Sequence, residues 1–257
     1  MPLTEFQTQV LRVIAANRSP ESHIAGGIAL NYTPKSARFS TDIDIFHDAE
    51  AAVVFASETD LKSLQAAGFQ TEQSPFWSGQ FRRAFVAKDG QQVKIEWAQD
   101  SAFRFFPIDP DPILQWRLHP FDALTNKALT MASRSATRDL VDLVSHRLEY
   151  PLVRIVWAAC AKDPGFTPSN LLPMMRRHAR IDPVALEQMG VSVSPVELKQ
   201  CWMEMSEEAE AELDEAIRAR IEPGVAFVVP NGQVGWYNSA GAVPHYATLG
   251  GVVPRVG

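Results

Sequence analysis

Apolar residues three and four positions apart (Phe6, Val10, Leu11, Val13 and Ile14) predict an amphipathic helix over residues 4–17. The short strand His23-Ile24-Ala25 leads into Gly26-Gly27, which opens a short helix. The period then switches to two. Around 38–45, Phe39, Thr41, Ile43 and Ile45 fall on one face of a strand, with Arg38, Ser40, Asp42 and Asp44 on the other. A helix over 48–67 ends at Gly68, and a strand follows near 68–73. Residues 80–98 alternate on both sides of Lys88-Asp89-Gly90, the mark of a hairpin. On its second strand Val93, Ile95 and Trp97 share one face, while Lys94 and Glu96 share the other.

The run 107–112 alternates proline with Ile and Asp, which removes donors, favours extended chain and predicts a linker. From 119 to 221 helical periodicity takes over, with helices predicted over 120–133, 136–148, 151–162, 168–179, 183–189, 194–204 and 206–221. Beyond 223 Gly, Pro, Val and aromatics dominate, and a second hairpin is predicted around Asn231-Gly232. The fold class is therefore α+β. A mixed-sheet domain is expected over 1–110, a helical domain over 111–222 and a hairpin-containing tail over 223–257. The tail is open to three uses: packing on the helices, covering a cleft, or dimerisation.

Composition changes this picture only at the margins. With 257 residues, 46% of them hydrophobic, the chain can bury one large core or two modest ones. No apolar run approaches a membrane span, and Met-Pro-Leu-Thr-Glu-Phe is unlike a signal peptide, so a cytoplasmic protein is expected. Cys160 and Cys201 lack metal-ligand spacing and read as free thiols. A net charge of −6 argues against broad nucleic-acid binding but leaves room for a local basic patch. The densest candidate, Arg176-Arg177-His178 with Arg180, also suits a helix C-terminus, where cations are favoured.

The chemistry concentrates at 26–44. A cation, a hydroxyl and two anions along one strand face are a set no core would choose. Carboxylates about 7 Å apart along a strand can converge on Mg²⁺, a hard cation that takes oxygen ligands and keeps positions open for phosphates. The glycines allow a helix N-terminus to approach an anion without Cβ obstruction.

Gly26-Gly27-Ile28-Ala29-Leu30 followed by Arg38-x-Ser40-x-Asp42-Ile43-Asp44 resembles the DNA polymerase β-type nucleotidyltransferases. Within them it is similar to the AbiEii/AbiGii toxin family, which usually carries a hydroxyl residue where Ile28 stands. Residues 122–142 resemble a second motif of that family, with Lys127 on one helix and Arg134, Arg138, Asp139 and Asp142 on or before the next. The resemblance implies a polymerase β-like catalytic domain and an active site between it and the helical domain. It implies one or two Mg²⁺ on Asp42 and Asp44, with Glu96 as third metal ligand or base. Gly26, Gly27, Arg38 and Ser40 would hold phosphates, helped by Lys127 and Arg134. Asp139 would orient Lys127 or touch the nucleotide. The implied partners are an NTP, an RNA (tRNA) acceptor and an antitoxin protein, with no membrane. Two other readings share the motifs: a nucleotide-binding regulatory protein that transfers nothing, and a drug adenylyltransferase.

Overall fold

Residues 3–255 are described by a computed structural model, in which the chain divides into two units, Met1–Ala102 with Pro107–Pro120 and Phe103–Phe106 with Phe121–Gly257. In the first, Thr4 opens α1 (Glu5–Ile14) through a capping box. Its hydroxyl accepts from the Gln7 N–H at 3.0 Å, and the Gln7 side chain accepts from the Thr4 N–H at 2.9 Å. A 3₁₀ turn (Ala15–Asn17) precedes β1 (Ser22–Ala25), α2 (Gly26–Leu30), β2 (Asp42–His47) and α3 (Glu50–Ala66). Then come β3 (Gln70–Gln73), β4 (Phe81–Lys88) and β5 (Gln91–Gln99). β6 (Phe103–Arg104) belongs to the second unit, and β7 (Asp109–Asp111) and β8 (Gln115–Arg117) complete the first.

These strands form one mixed sheet in the order β3-β4-β5-β2-β1-β8-β7. β2 runs parallel to β5 and β1 parallel to β8, and the other neighbours are antiparallel. Alternation on β2 and β5 sends Ile43, Ile45, Val93, Ile95 and Trp97 into a core shared with Val10 and Ile14 of α1 and Val53 and Leu64 of α3. The opposite face is left with Asp42, Asp44, Lys94 and Glu96, all half-buried. Asp89 and Gly90 both take positive φ, 51° and 76°, as a two-residue primed turn requires.

Three local expectations need correction. The β2 strand starts at Asp42 rather than Arg38, so Phe39 is exposed while Arg38 and Ser40 are buried. The Gln7 side chain donates to the Ser40 carbonyl at 2.6 Å, which ties this stretch to α1 before the pleat begins. The Pro-rich run is not a bare linker but contains β7. Pro110 is tolerated there because β7 is an edge strand, and the hairpin is held by Asp111, which accepts from the Ile113 and Leu114 N–H groups at 2.8 Å each and from the Tyr32 hydroxyl at 2.6 Å. Burial, reinforced by that carboxylate, pushes the Tyr32 phenol up to about 12. Finally, the two helices expected over 194–204 and 206–221 are one.

A buried polar cluster lies on the core side of this sheet. The Arg18 Nη2 donates to both Asp60 oxygens at 2.7 and 2.6 Å, and Asp60 also accepts from Trp97 Nε1 and Asn17 Nδ2, each at 2.8 Å. Neither ring nitrogen of the fully buried His47 has a hydrogen bond of good geometry. Burial first, then the Arg18 charge, lowers His47 from 6.5 to about 4, with the Glu21 backbone only a weak counterweight. The unfolded chain takes up this proton near pH 6.5 and the folded chain only near 4, so stability is full above 6.5 and falls between those values. The loss approaches about 3 kcal/mol. Urea unfolding at neutral and mildly acidic pH should show this decline in the wild type and a shallower one in His47→Leu.

The second unit contains α4 (Pro120–Ser133, whose first residue belongs to the other unit), α5 (Thr137–Ser145), α6 (Leu152–Ala159), α7 (Pro168–His178), α8 (Pro183–Gln188) and α9 (Pro195–Arg218). In α9, Ser194 and Glu197 form the capping box, whereas the buried Ser206 hydroxyl donates back to the Met203 carbonyl at 3.0 Å and opens no new helix. The tail supplies β9 (Val225–Val228), β10 (Val234–Gly235), β11 (Val243–Tyr246) and β12 (Thr248–Leu249). It packs on this unit's helices. Trp157 Nε1 donates to the Glu222 carbonyl at 2.8 Å, Trp157 meets Trp236 edge-on, and Arg154 donates to the Val234 carbonyl at 2.6 Å. Among the described residues, no helix is long and apolar enough to cross a membrane.

Candidate active site

Parallel pairing of β2 with β5 sets Asp42 beside Lys94 and Asp44 beside Glu96, while antiparallel pairing with β1 sets Ala25 beside Asp44. The carboxylates thus stand one pleat apart at the point where β1 turns into α2. Gly26 makes that turn at φ +58°, and a Cβ there would run into the Asp44 carboxylate. Only glycine satisfies both constraints, the left-handed backbone and the close approach. Gly27 has a different task. A Cβ on it would lie 2.5 Å from Ser40 Oγ and 2.6 Å from Arg38 Nη2, so its absence admits these two buried side chains against α2. The sequence row of four polar residues is therefore split into two groups. Arg38 and Ser40 sit under Gly27, and Asp42 and Asp44 stand on the sheet face.

Two residues not anticipated in the site complete it. Lys94 Nζ lies 2.9 Å from Asp42 Oδ2 and 2.9 Å from Glu96 Oε1, and Arg83 Nη2 lies 2.6 Å from Glu96 Oε1. The sequence carries a signal for both. Lys94 is one pleat from Glu96 on the same face, and the Asp89-Gly90 turn fixes the register that puts Arg83 opposite Glu96. Burial works against the Lys94 charge, but hydrogen bonds and attraction to Asp42 and Glu96 outweigh it and raise the ammonium above the ordinary lysine value. Burial likewise raises the Glu96 carboxyl, and Lys94 with Arg83 outweighs it, leaving Glu96 below the usual range. A carboxylate held by two cations is a weak proton acceptor.

Among the described residues, no group of three or more His, Cys, Asp or Glu is arranged as a ready metal cage. The donors nonetheless fit a magnesium ion that arrives with phosphate oxygens, because Mg²⁺ is commonly bound by one or two carboxylates plus substrate phosphates. The Lys94 ammonium between Asp42 and Glu96 shows that this face already holds a cation, and the missing Cβ of Gly26 lets the Asp44 carboxylate pack directly against the turn into α2.

In the second unit, Lys127 of α4 is gripped by two fully buried carboxylates of α5, with Nζ 2.7 Å from Asp139 Oδ1 and 3.1 Å from Asp142 Oδ2. Arg134 reaches Asp139 at 3.5 Å. The structure thus brings together Lys127, Arg134, Asp139 and Asp142. Asp142 is fully buried and pairs with Lys127. At the end of α7, Arg176 is bonded to Glu210 and to the Ser206 carbonyl, so this basic cluster is partly spent within the unit.

Comparison with solved structures decides the fold. A candidate nucleotidyltransferase from H. pylori superposes with a TM-score of 0.51 at 17% identity, over 81% of this chain and 98% of that one. The fold is a nucleotidyltransferase fold. JHP933 from Helicobacter pylori aligns with a TM-score of 0.48 at 17% identity, over 85% and 99% of the two chains. MenT4, a nucleotidyltransferase toxin from Mycobacterium tuberculosis H37Rv, aligns with a TM-score of 0.46 at 19% identity, over 62% of this chain and 65% of MenT4. No protein-family model and no curated protein matches the chain.

Proposed function

We propose that the chain is a magnesium-dependent nucleotidyltransferase that moves a nucleoside monophosphate from an NTP to an acceptor hydroxyl. The observation that carries this is the Asp44 carboxylate seated against Gly26, one pleat from Asp42, at the strand-to-helix turn. Asp42 and Asp44 would hold Mg²⁺, which when bound neutralises phosphate charge and polarises the reacting phosphoryl group. Gly26 admits the Asp44 carboxylate against the start of α2. Gly27 with Arg38 and Ser40 fixes the shape of that turn. By the resemblance, Lys127 is a cation for the triphosphate, with Arg134 beside it, and Asp139 and Asp142 hold its ammonium in place. The acceptor oxygen forms a bond to the α-phosphorus as the bond to the β-phosphate breaks and pyrophosphate leaves.

The likeness to AbiEii/AbiGii motifs supports a toxin of a toxin–antitoxin or phage-exclusion system, cytoplasmic, with tRNA as acceptor. One observation favours a second reading, a nucleotide-binding protein that transfers nothing: Glu96 is held by Lys94 and Arg83, so no third carboxylate stands ready as a base. The test is incubation with each α-³²P-labelled NTP, Mg²⁺ and total tRNA, beside an Asp42→Ala/Asp44→Ala control. Label on RNA from the wild type alone supports the transferase reading. NTP binding by calorimetry without transfer rejects tRNA as acceptor and leaves either a different acceptor or the second reading, and no binding of any NTP rejects both.

A further inference from the structure

The sheet face that carries Asp42 and Asp44 has its own fixed cations. Lys94 bridges Asp42 and Glu96 at 2.9 Å to each, and Arg83 caps Glu96 at 2.6 Å. The bridge follows from register. In parallel pairing Lys94 is the β5 neighbour of Asp42, and Glu96, one pleat on, is the neighbour of Asp44. The ammonium therefore lies between one member of the Asp pair and the third acid, where a cation shared by those two carboxylates would sit. We propose that Lys94 takes the place of one of two cations at this site, so that the chain binds a single divalent ion and binds it together with the nucleotide.

Charge and geometry support this. Asp42 and Glu96 face Lys94 and Arg83, two anions against two cations. A second divalent ion on Asp42 and Glu96 would have to displace the ammonium or lie against it, with Arg83 adding to the repulsion. Glu96 already has two cationic partners and would serve as the anchor of Lys94 rather than as a metal ligand. Carboxylates already balanced by fixed cations do little to strip water from Mg²⁺, which dehydrates reluctantly and relies on substrate phosphates for its other oxygens. The nucleotide would supply those oxygens. Lys94, fixed at both ends of its bridge, supplies a positive charge that needs no second metal.

The inference rests on nucleotide binding by this site, and the experiment separates the two. Mn²⁺ binding to the full chain is followed by electron paramagnetic resonance, with and without each α,β-methylene nucleoside triphosphate, for wild type, Lys94→Met and Lys94→Arg. The wild type should bind Mn²⁺ weakly alone and one ion with nucleotide. Lys94→Met should raise nucleotide-free Mn²⁺ affinity by about 10-fold or more, because it removes a positive charge in contact with Asp42 and Glu96, and admit a second ion with nucleotide. Lys94→Arg, which keeps the charge, should restore the wild-type count. Circular dichroism checks that each variant is folded. Two ions on the nucleotide-bound wild type overturn the inference and leave the function standing, as does unchanged Mn²⁺ affinity in a folded Lys94→Met. Failure of the wild type to bind any of the nucleotides overturns the function itself.

Discussion

Asp44→Asn should lower nucleotide transfer by about 10³-fold or more while leaving the protein folded. A bound metal contributes several kcal/mol of charge stabilisation in a phosphoryl-transfer transition state, and about 4 kcal/mol corresponds to a factor of about 10³. Asparagine keeps the shape that packs against Gly26, so the turn from β1 into α2 survives, yet it removes one of the two carboxylates that would hold the metal. With Lys94 and Arg83 still in place, the site loses one negative charge. Calorimetric titration with Mg²⁺ and NTP should show weakened metal-dependent binding alongside the lost transfer. Glu96→Gln is the instructive contrast. It loosens Lys94 without touching the Asp pair, so its cost should be nearer 10- to 100-fold, as for groups that orient ligands. Equal activity of Asp44→Asn and wild type would remove the carboxylate pair from the chemistry altogether.

Much of the sheet and the centre of the site were legible because they follow local rules. Gly26 before a short helix, Asp42 and Asp44 two apart, and the Asp89-Gly90 turn each act within a few residues, and each occupies the element expected of it. What was hidden depended on pairing between distant segments. Nothing near Lys94 reveals that β5 runs parallel to β2, and that register alone makes Lys94 the neighbour of Asp42. The Arg38–Ser40 stretch has the alternation of a strand, but the Gln7 side chain on α1 captures the Ser40 carbonyl and Gly27 opens a hole for both side chains. Tertiary contacts outweighed the pattern there. The Pro-rich run misled for a related reason, because proline excludes central strands and not edge strands. Ser206 has the right type to begin a helix but bonds backward to Met203 in the middle of α9.

The largest expected stability effect lies away from the site. Asp60→Ala should destabilise the protein by about 3–5 kcal/mol, the cost of stranding a buried charge after its partner is removed. Arg18 is nearly inaccessible, with its Nε and Nη1 unpartnered, so the two bonds from Nη2 to Asp60 are what compensate its charge. Burial pushes Arg18 down and Asp60 up from their ordinary values, and their mutual attraction opposes both shifts. Loss of Asp60 also leaves Trp97 Nε1 without its acceptor in the core behind β5, and Asn17 Nδ2 with only the Ser63 hydroxyl at 3.3 Å. At about 2–4 °C per kcal/mol for a chain of this size, the thermal midpoint should fall by about 10 °C. Removing both charges tests the cause. Arg18→Leu/Asp60→Leu should recover much of the loss, since a buried ion pair replaced by apolar groups of similar volume is often neutral or stabilising. The double variant also frees His47 from the Arg18 charge, the second cause of its lowered proton affinity. Its acid-dependent loss of stability should still begin near pH 6.5 but level off at a higher pH and be smaller in total. A double variant as unstable as Asp60→Ala would mean that the carboxylate matters for its hydrogen bonds to Trp97 and Asn17, and not for the charge it balances.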